Sequence, residues 1–157
     1  MMDYLTIKAI HILSSVLMVG TGFGTAFYLF FANRSGSVEA IVVVSRLVVK
    51  ADWWFTTPTV IIQPLSGAYL IYRAGFPLDS FWLIASLGLY AVAGICWLPV
   101  VWYQIRMGRL AIAAHEQRVA LPDLYWKYAR RWELLGYPAF SAMVIVYFLM
   151  VLKPINH

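Results

Sequence analysis

Apolar residues run along the chain in four long segments that polar stretches separate. The segments cover residues 4–32, 53–72, 81–105 and 132–152. A helix needs about 20 predominantly apolar residues to cross the hydrocarbon of a bilayer, and each segment offers that length. The pattern therefore predicts an all-α protein, a four-helix transmembrane bundle that forms one domain over residues 1–157.

The three connections, residues 33–52, 73–80 and 106–131, carry the polar and helix-breaking residues expected where membrane helices end. Two parts of them are also expected to be helical. Residues 38–51 can continue straight into the second apolar segment, and Pro122 can start a short helix that leads into the fourth.

Composition supports a membrane protein, because 62% of the residues are hydrophobic and only 12% are charged. Soluble domains are about 45–50% apolar and about 25% charged. The single cysteine, Cys96, excludes an intrachain disulfide and argues against a thiolate metal cluster.

Basic residues are distributed unequally between the two sides that this topology creates. The first and third connections carry nine Lys and Arg residues, whereas the opposite side carries three, namely Lys8, Arg73 and Lys153. Cytoplasmic connections are enriched in Lys and Arg. Both termini are therefore predicted to lie on the non-cytoplasmic side.

Lys8 and His11 stand one helical turn apart inside the first apolar segment. Ionisable side chains in a membrane are costly, usually face the bundle interior, and mark functional sites by default. On a helical projection, His11 shares its face with Ser14, Ser15, Met18, Gly22 and Thr25, which are polar or small apart from Met18. Gly20 and Gly24 form a GxxxG pair on nearly the opposite face, which suits close helix packing against a partner or a second copy.

The ligands available at the depth of His11 limit the chemistry. The other segments offer no second histidine or carboxylate there, so zinc and di-iron carboxylate sites lack ligands. One histidine suffices as the proximal ligand of a haem iron. Lys8, Arg73 and Lys153 are the cations available for haem propionates or an acidic substrate.

Two further side chains, Gln63 and Tyr90, are predicted to line the pocket, and Met150 is a weak candidate for a second iron ligand. Pro58, Pro64 and Pro99 interrupt helical hydrogen bonding, which favours kinks and a shaped cavity wall.

Long stretches of the chain resemble a bacterial family of predicted integral membrane proteins of unknown function. These stretches are KAIHILSSVLMVGTGFGTAF, ADWWFTTPTVIIQPLSG, CWLPVVWYQIRM and RRWELLGYPAFSAMVIVYFLMVLKP. That family is distantly similar to HemJ-type protoporphyrinogen oxidases and to the copper-resistance protein CopD. The resemblance implies a bacterial inner-membrane location.

HemJ-type proteins begin with a similar Lys-Ala-x-His span and end with a basic-Trp stretch, a proline and a closing Lys-Pro. The matching positions here are Lys8, Ala9, His11, Arg131, Trp132, Pro138, Lys153 and Pro154. The resemblance implies haem bound at His11. The third segment departs from the HemJ pattern because it contains neither lysine nor histidine, so the resemblance supports protoporphyrinogen oxidation less than it supports haem binding.

The leading hypothesis is a haem b-binding membrane protein of the oxidoreductase or electron-transfer kind, with His11 as axial ligand. A copper- or solute-handling protein is the first alternative. The second is a non-catalytic membrane subunit that associates through the Gly20/Gly24 face.

Overall fold

The computed structural model describes residues 2–154, and all regular structure in that range is helical. This confirms the all-α class. The helices are α1 (Met2–Arg34), α2 (Val38–Ala51), α3 (Thr57–Ala74), α4 (Phe81–Gln117) and α5 (Asp123–Leu152), with a π-helical turn at Asp52–Thr56.

The helices α2 and α3 join through the π-helical turn into one continuous rod, since the backbone stays right-handed helical at both junctions. Ser37 begins the rod by accepting a hydrogen bond from the backbone N–H of Ala40 at 3.1 Å. Gly75 ends it with a left-handed φ of 66°, which glycine adopts without steric cost. The expectation that residues 38–51 continue into the second segment is confirmed.

Helices α4 and α5 extend well beyond the apolar segments that predicted them. Most of residues 106–131 is helical, and only residues 118–122 connect the two helices. These polar extensions are stable because each buries one apolar face, through Met107 and Ala111 on α4 and through Tyr125 and Ala129 on α5.

Among the described residues, three helices are long and apolar enough to cross a membrane, namely those spanning Asp3–Arg34, Phe81–Gln117 and Asp123–Leu152. The second predicted segment forms a helix, α3, but does not reach the same mean hydropathy. Gln63 and Arg73, together with prolines and threonines, make α3 more polar than the other three.

The well-packed core lies at one end of the molecule. It joins the end of α1, α2, the second half of α4 and the start of α5, through Leu29, Ala32, Ile41, Val42, Val48, Met107, Ala111, Tyr125, Ala129 and Trp132. Beyond this core the helices pair differently: α3 packs on α1, and α4 packs on α5. Within the described residues the backbones of α3 and α4 do not approach closely, so the bundle is open between them.

Candidate functional site

His11 is anchored to α3 by its ring. Its Nδ1 lies 2.7 Å from Oγ of Ser66, a buried residue. The Ser66 hydroxyl also lies 2.6 Å from the carbonyl of Ile62, and when it donates its proton there, its oxygen accepts from Nδ1–H. This arrangement selects the tautomer in which Nε2 carries the lone pair.

Gln63, one turn before Ser66 on α3, also hydrogen-bonds across the interface between α1 and α3. Its side-chain amide donates to the carbonyl of His11 at 2.7 Å and to the hydroxyl of Ser14 at 2.6 Å. Gln63 and Ser14 are both buried. The polar stripe on α1 therefore pairs with a polar stripe on α3, and hydrogen bonds rather than large apolar side chains join these two helices here.

Gly67 completes the contact by leaving room for the imidazole. A Cβ at this position would lie 3.3 Å from Cε1 of His11 and 3.9 Å from Nδ1. The ring is thus held on one side by Ser66 and bordered on another by a residue without a side chain.

Tyr90 bridges the open space between α4 and α3, and its hydroxyl donates to the carbonyl of Val60 at 2.7 Å. Pro64 lacks the N–H that would otherwise bond this carbonyl, because a helical N–H bonds the carbonyl four residues earlier. A tyrosine from another helix therefore satisfies the carbonyl that Pro64 frees.

The remaining predicted residues lie toward the same end of the molecule as His11. Lys8 and Arg73 are exposed, and Met150 is half-buried on α5. Nζ of Lys153 lies 4.3 Å from the ring centre of Phe76 and 5.5 Å from that of Trp82. The structure brings His11 and Gln63 into direct contact. The three basic residues Lys8, Arg73 and Lys153 are exposed at the surface of that end of the molecule.

A cavity of about 440 Å³ opens further along the bundle, between α1, α4, α5 and the start of α3. On α1 its lining begins at Met18, seven residues after His11, or about 10 Å at the helical rise. Gly22, Thr25 and Tyr90, expected near the site, also line it. The cavity therefore continues the face of α1 that carries His11, toward the well-packed end.

The inner end of this cavity holds polar residues that the sequence analysis did not place in the site. Asp52 and Thr56 come from the π-helical turn, Gln104 from α4 and Trp132 from α5, and all four are buried. The sequence did contain one indication of this group, because Asp52 is a carboxylate that directly precedes the apolar segment 53–72 and lies six residues before Pro58. A π-helical turn is often found at functional sites.

Asp52 is buried without a basic partner in the described part of the chain. The Thr56 hydroxyl donates to its Oδ1 at 2.9 Å, and the Gln104 side chain also hydrogen-bonds the carboxyl. Burial raises the pKa of the Asp52 carboxyl above its ordinary value of 3.8, and these two hydrogen bonds only partly oppose the shift.

Among the described residues, no three His, Cys, Asp or Glu side chains cluster as a metal site would require.

The fold and the site together define an all-helical integral membrane protein with a buried polar interface inside its apolar bundle. The chain belongs to the DUF2269 family of predicted integral membrane proteins, which matches residues 5–154. Comparisons with curated proteins and with solved structures return no match.

Proposed function

We propose that this protein binds haem b through Nε2 of His11 and acts in membrane oxidation–reduction or electron transfer. The hydrogen bond between Nδ1 of His11 and Ser66 carries the proposal, because it leaves Nε2 free to ligate. Histidine ligands of metals almost always donate their other ring N–H to a neighbouring acceptor.

The residues around His11 are of the types that a haem site requires. Gln63 and Ser14 hold the backbone of α1 at His11, and the absence of a side chain at Gly67 makes room for the imidazole ring. Lys8, Arg73 and Lys153 supply positive charge for the propionates at that end. When bound, haem supplies one-electron chemistry at iron, and this chain's residues orient it and exclude water.

We further propose that α3 is a fourth membrane crossing, which places both termini on the non-cytoplasmic side of a bacterial inner membrane. The hydrogen bond that Gln63 of α3 donates to α1 and the one that α3 accepts from Tyr90 of α4 support this proposal, because they satisfy polar groups of α3 that lipid could not. The excess of basic residues in the two opposite connections supports the orientation.

The test is an absorption spectrum of the protein purified in mild detergent, in oxidised and reduced form, with added haem b if the preparation is colourless. The expected result is a Soret band that His11→Ala removes. His115→Ala is the matched control, because His115 lies on the distant extension of α4. A protein that stays colourless after haem addition contradicts the proposal.

The second candidate function is that of a non-catalytic assembly subunit. Among the described residues, a Cβ at Gly20 or Gly24 would meet no atom within 4 Å, so these two glycines leave room for a partner helix. Gly20→Leu should then abolish association in detergent, whereas His11→Ala should affect stability alone. Copper handling is distinguished by metal analysis of the same preparation, in which bound copper would favour it over haem.

A further inference from the structure

The large cavity is distinct from the His11 contact and opens sideways between α1 and α5. Phe23 and Phe140 stack beside it with ring centres 5.0 Å apart. Phe27, Phe31 and Tyr137 line it and are exposed. In a bilayer these side chains face lipid, so an apolar molecule can enter from the membrane without crossing water.

Two buried polar atoms in the wall have no hydrogen-bond partner within the described chain. One is the acceptor Oε1 of Gln104, and the other is the donor Nε1–H of Trp132. The side chains are only 5% and 4% exposed, respectively, and both line the cavity. A buried polar group without a partner is costly, so such pairs in a native protein call for a ligand or a bound water.

The position of Asp52 explains why the side-chain oxygen of Gln104, and not its nitrogen, lacks a hydrogen-bond partner. A carboxylate accepts hydrogen bonds, so the Gln104 amide turns its nitrogen toward Asp52 and leaves its oxygen free. The other acid in the wall, Glu133, is already paired with Arg34 at 3.2 Å. The cavity therefore offers one free acceptor and one free donor in an apolar, aromatic enclosure.

We propose that this cavity binds a lipid-soluble phenol. Its hydroxyl would donate to Oε1 of Gln104 and accept from Nε1–H of Trp132, while its ring lies among the aromatic side chains and its alkyl tail leaves toward the bilayer. The volume of about 440 Å³ is typical of small-molecule pockets. Aromatic walls favour an aromatic ring through stacked or edge-on contacts.

Two other occupants make different demands. A lipid acyl chain would fill the apolar walls but leave Gln104 and Trp132 without partners. An alkylammonium ion would bind Asp52 but could accept nothing from Trp132, since an ammonium group has no acceptor. A hydroxyl group can both donate to Gln104 and accept from Trp132, which is why the phenol is favoured.

The experiment measures binding of tritiated 4-nonylphenol to the purified protein in mild detergent, with competition by unlabelled compounds. 4-Nonylanisole is the matched ligand, because its methyl ether keeps the shape and loses the donor. It should compete about tenfold more weakly than 4-nonylphenol, as expected for one lost hydrogen bond. Equal competition by 4-nonylanisole, or stronger competition by nonylamine, would overturn the proposal.

Trp132→Phe is the decisive variant, because it removes the free N–H and keeps an aromatic ring. It should weaken 4-nonylphenol binding about tenfold, and thermal unfolding checks that the variant still folds, since Trp132 also packs in the core. Trp126→Phe, which changes a tryptophan outside the cavity, should bind as the parent does. Parent-like binding by Trp132→Phe would overturn the proposal. The result is separate from haem binding, because His11 does not line this cavity.

Discussion

Nδ1 of His11 and Oγ of Ser66 lie 2.7 Å apart, across the interface between α1 and α3. The contact joins α1 to α3, the long helix that falls short of the hydropathy of the other three. It also fixes which nitrogen of the imidazole remains free, so a structural hydrogen bond decides what the histidine can do chemically.

Replacing Ser66 by alanine tests this contact without removing the histidine. The proposed haem site predicts that Ser66→Ala binds haem about 10- to 100-fold more weakly, as is usual when a ligand loses its outer hydrogen bond. Haem titration followed at the Soret band measures the change. Ser15→Ala is the control, because the Ser15 hydroxyl bonds only the carbonyl of Ile12 on its own helix. Equal affinity of the two variants would contradict the role of Ser66.

Gly67→Ala should strain the imidazole of His11, because the added Cβ would lie 3.3 Å from Cε1. Alanine gains about 0.5–1 kcal/mol over glycine inside a helix. Gly88→Ala should show this gain, because nothing lies within 4 Å of its Cβ position. Thermal unfolding in detergent should therefore find Gly67→Ala less stable than Gly88→Ala. Equal stability would mean that the ring is free to move away.

Tyr90 and Pro64 should be coupled although they lie on different helices. Tyr90→Phe leaves the carbonyl of Val60 without a donor and should cost about 1 kcal/mol, the usual scale for such bonds in membranes. Pro64→Ala restores the helical N–H, so the same tyrosine substitution should cost less in that background. A double-mutant cycle by thermal unfolding measures the coupling, and strict additivity would contradict the explanation.

Asp52→Asn should stabilise the protein at neutral pH and lose its advantage in acid. Burial raises the pKa of the Asp52 carboxyl in the folded state, so this carboxyl ionises more easily in the unfolded chain. Ionisation therefore favours the unfolded chain and lowers the free energy of unfolding. The penalty is complete above the raised pKa and disappears as pH falls toward the ordinary value of 3.8. Unfolding temperatures of parent and variant across this range should converge at low pH. A constant difference would contradict the assignment.

Apolar segment length predicted the helices, because burying backbone polar groups in lipid leaves few alternatives to a helix. It did not predict the extent of α4 and α5, since polar extensions such as that around Met107 are stabilised by packing on other helices. The distinct character of α3 likewise depends on bonds to its neighbours, such as that from Tyr90 to Val60.

The sequence could predict that His11 and Gln63 lie at the same depth, but not that they are in contact. The contact between His11 and Ser66 depends on how α1 and α3 are rotated about their axes, which the sequence pattern does not show. The polar end of the cavity was not anticipated. Asp52 and Gln104 come from segments far apart in sequence, and nothing local to either marks their contact. Sequence patterns thus predicted that His11 and Gln63 lie at one depth, and they did not predict the polar end of the cavity.

The central claim, that Nε2 of His11 supplies the bond to haem iron, is tested most directly by replacing the ligand from solution. His11→Gly removes the imidazole, and the purified variant is titrated with haem b in the absence and presence of free imidazole. The account predicts that the Soret band of the parent is lost in the variant and restored by imidazole. A variant that keeps the parent spectrum without imidazole would contradict it.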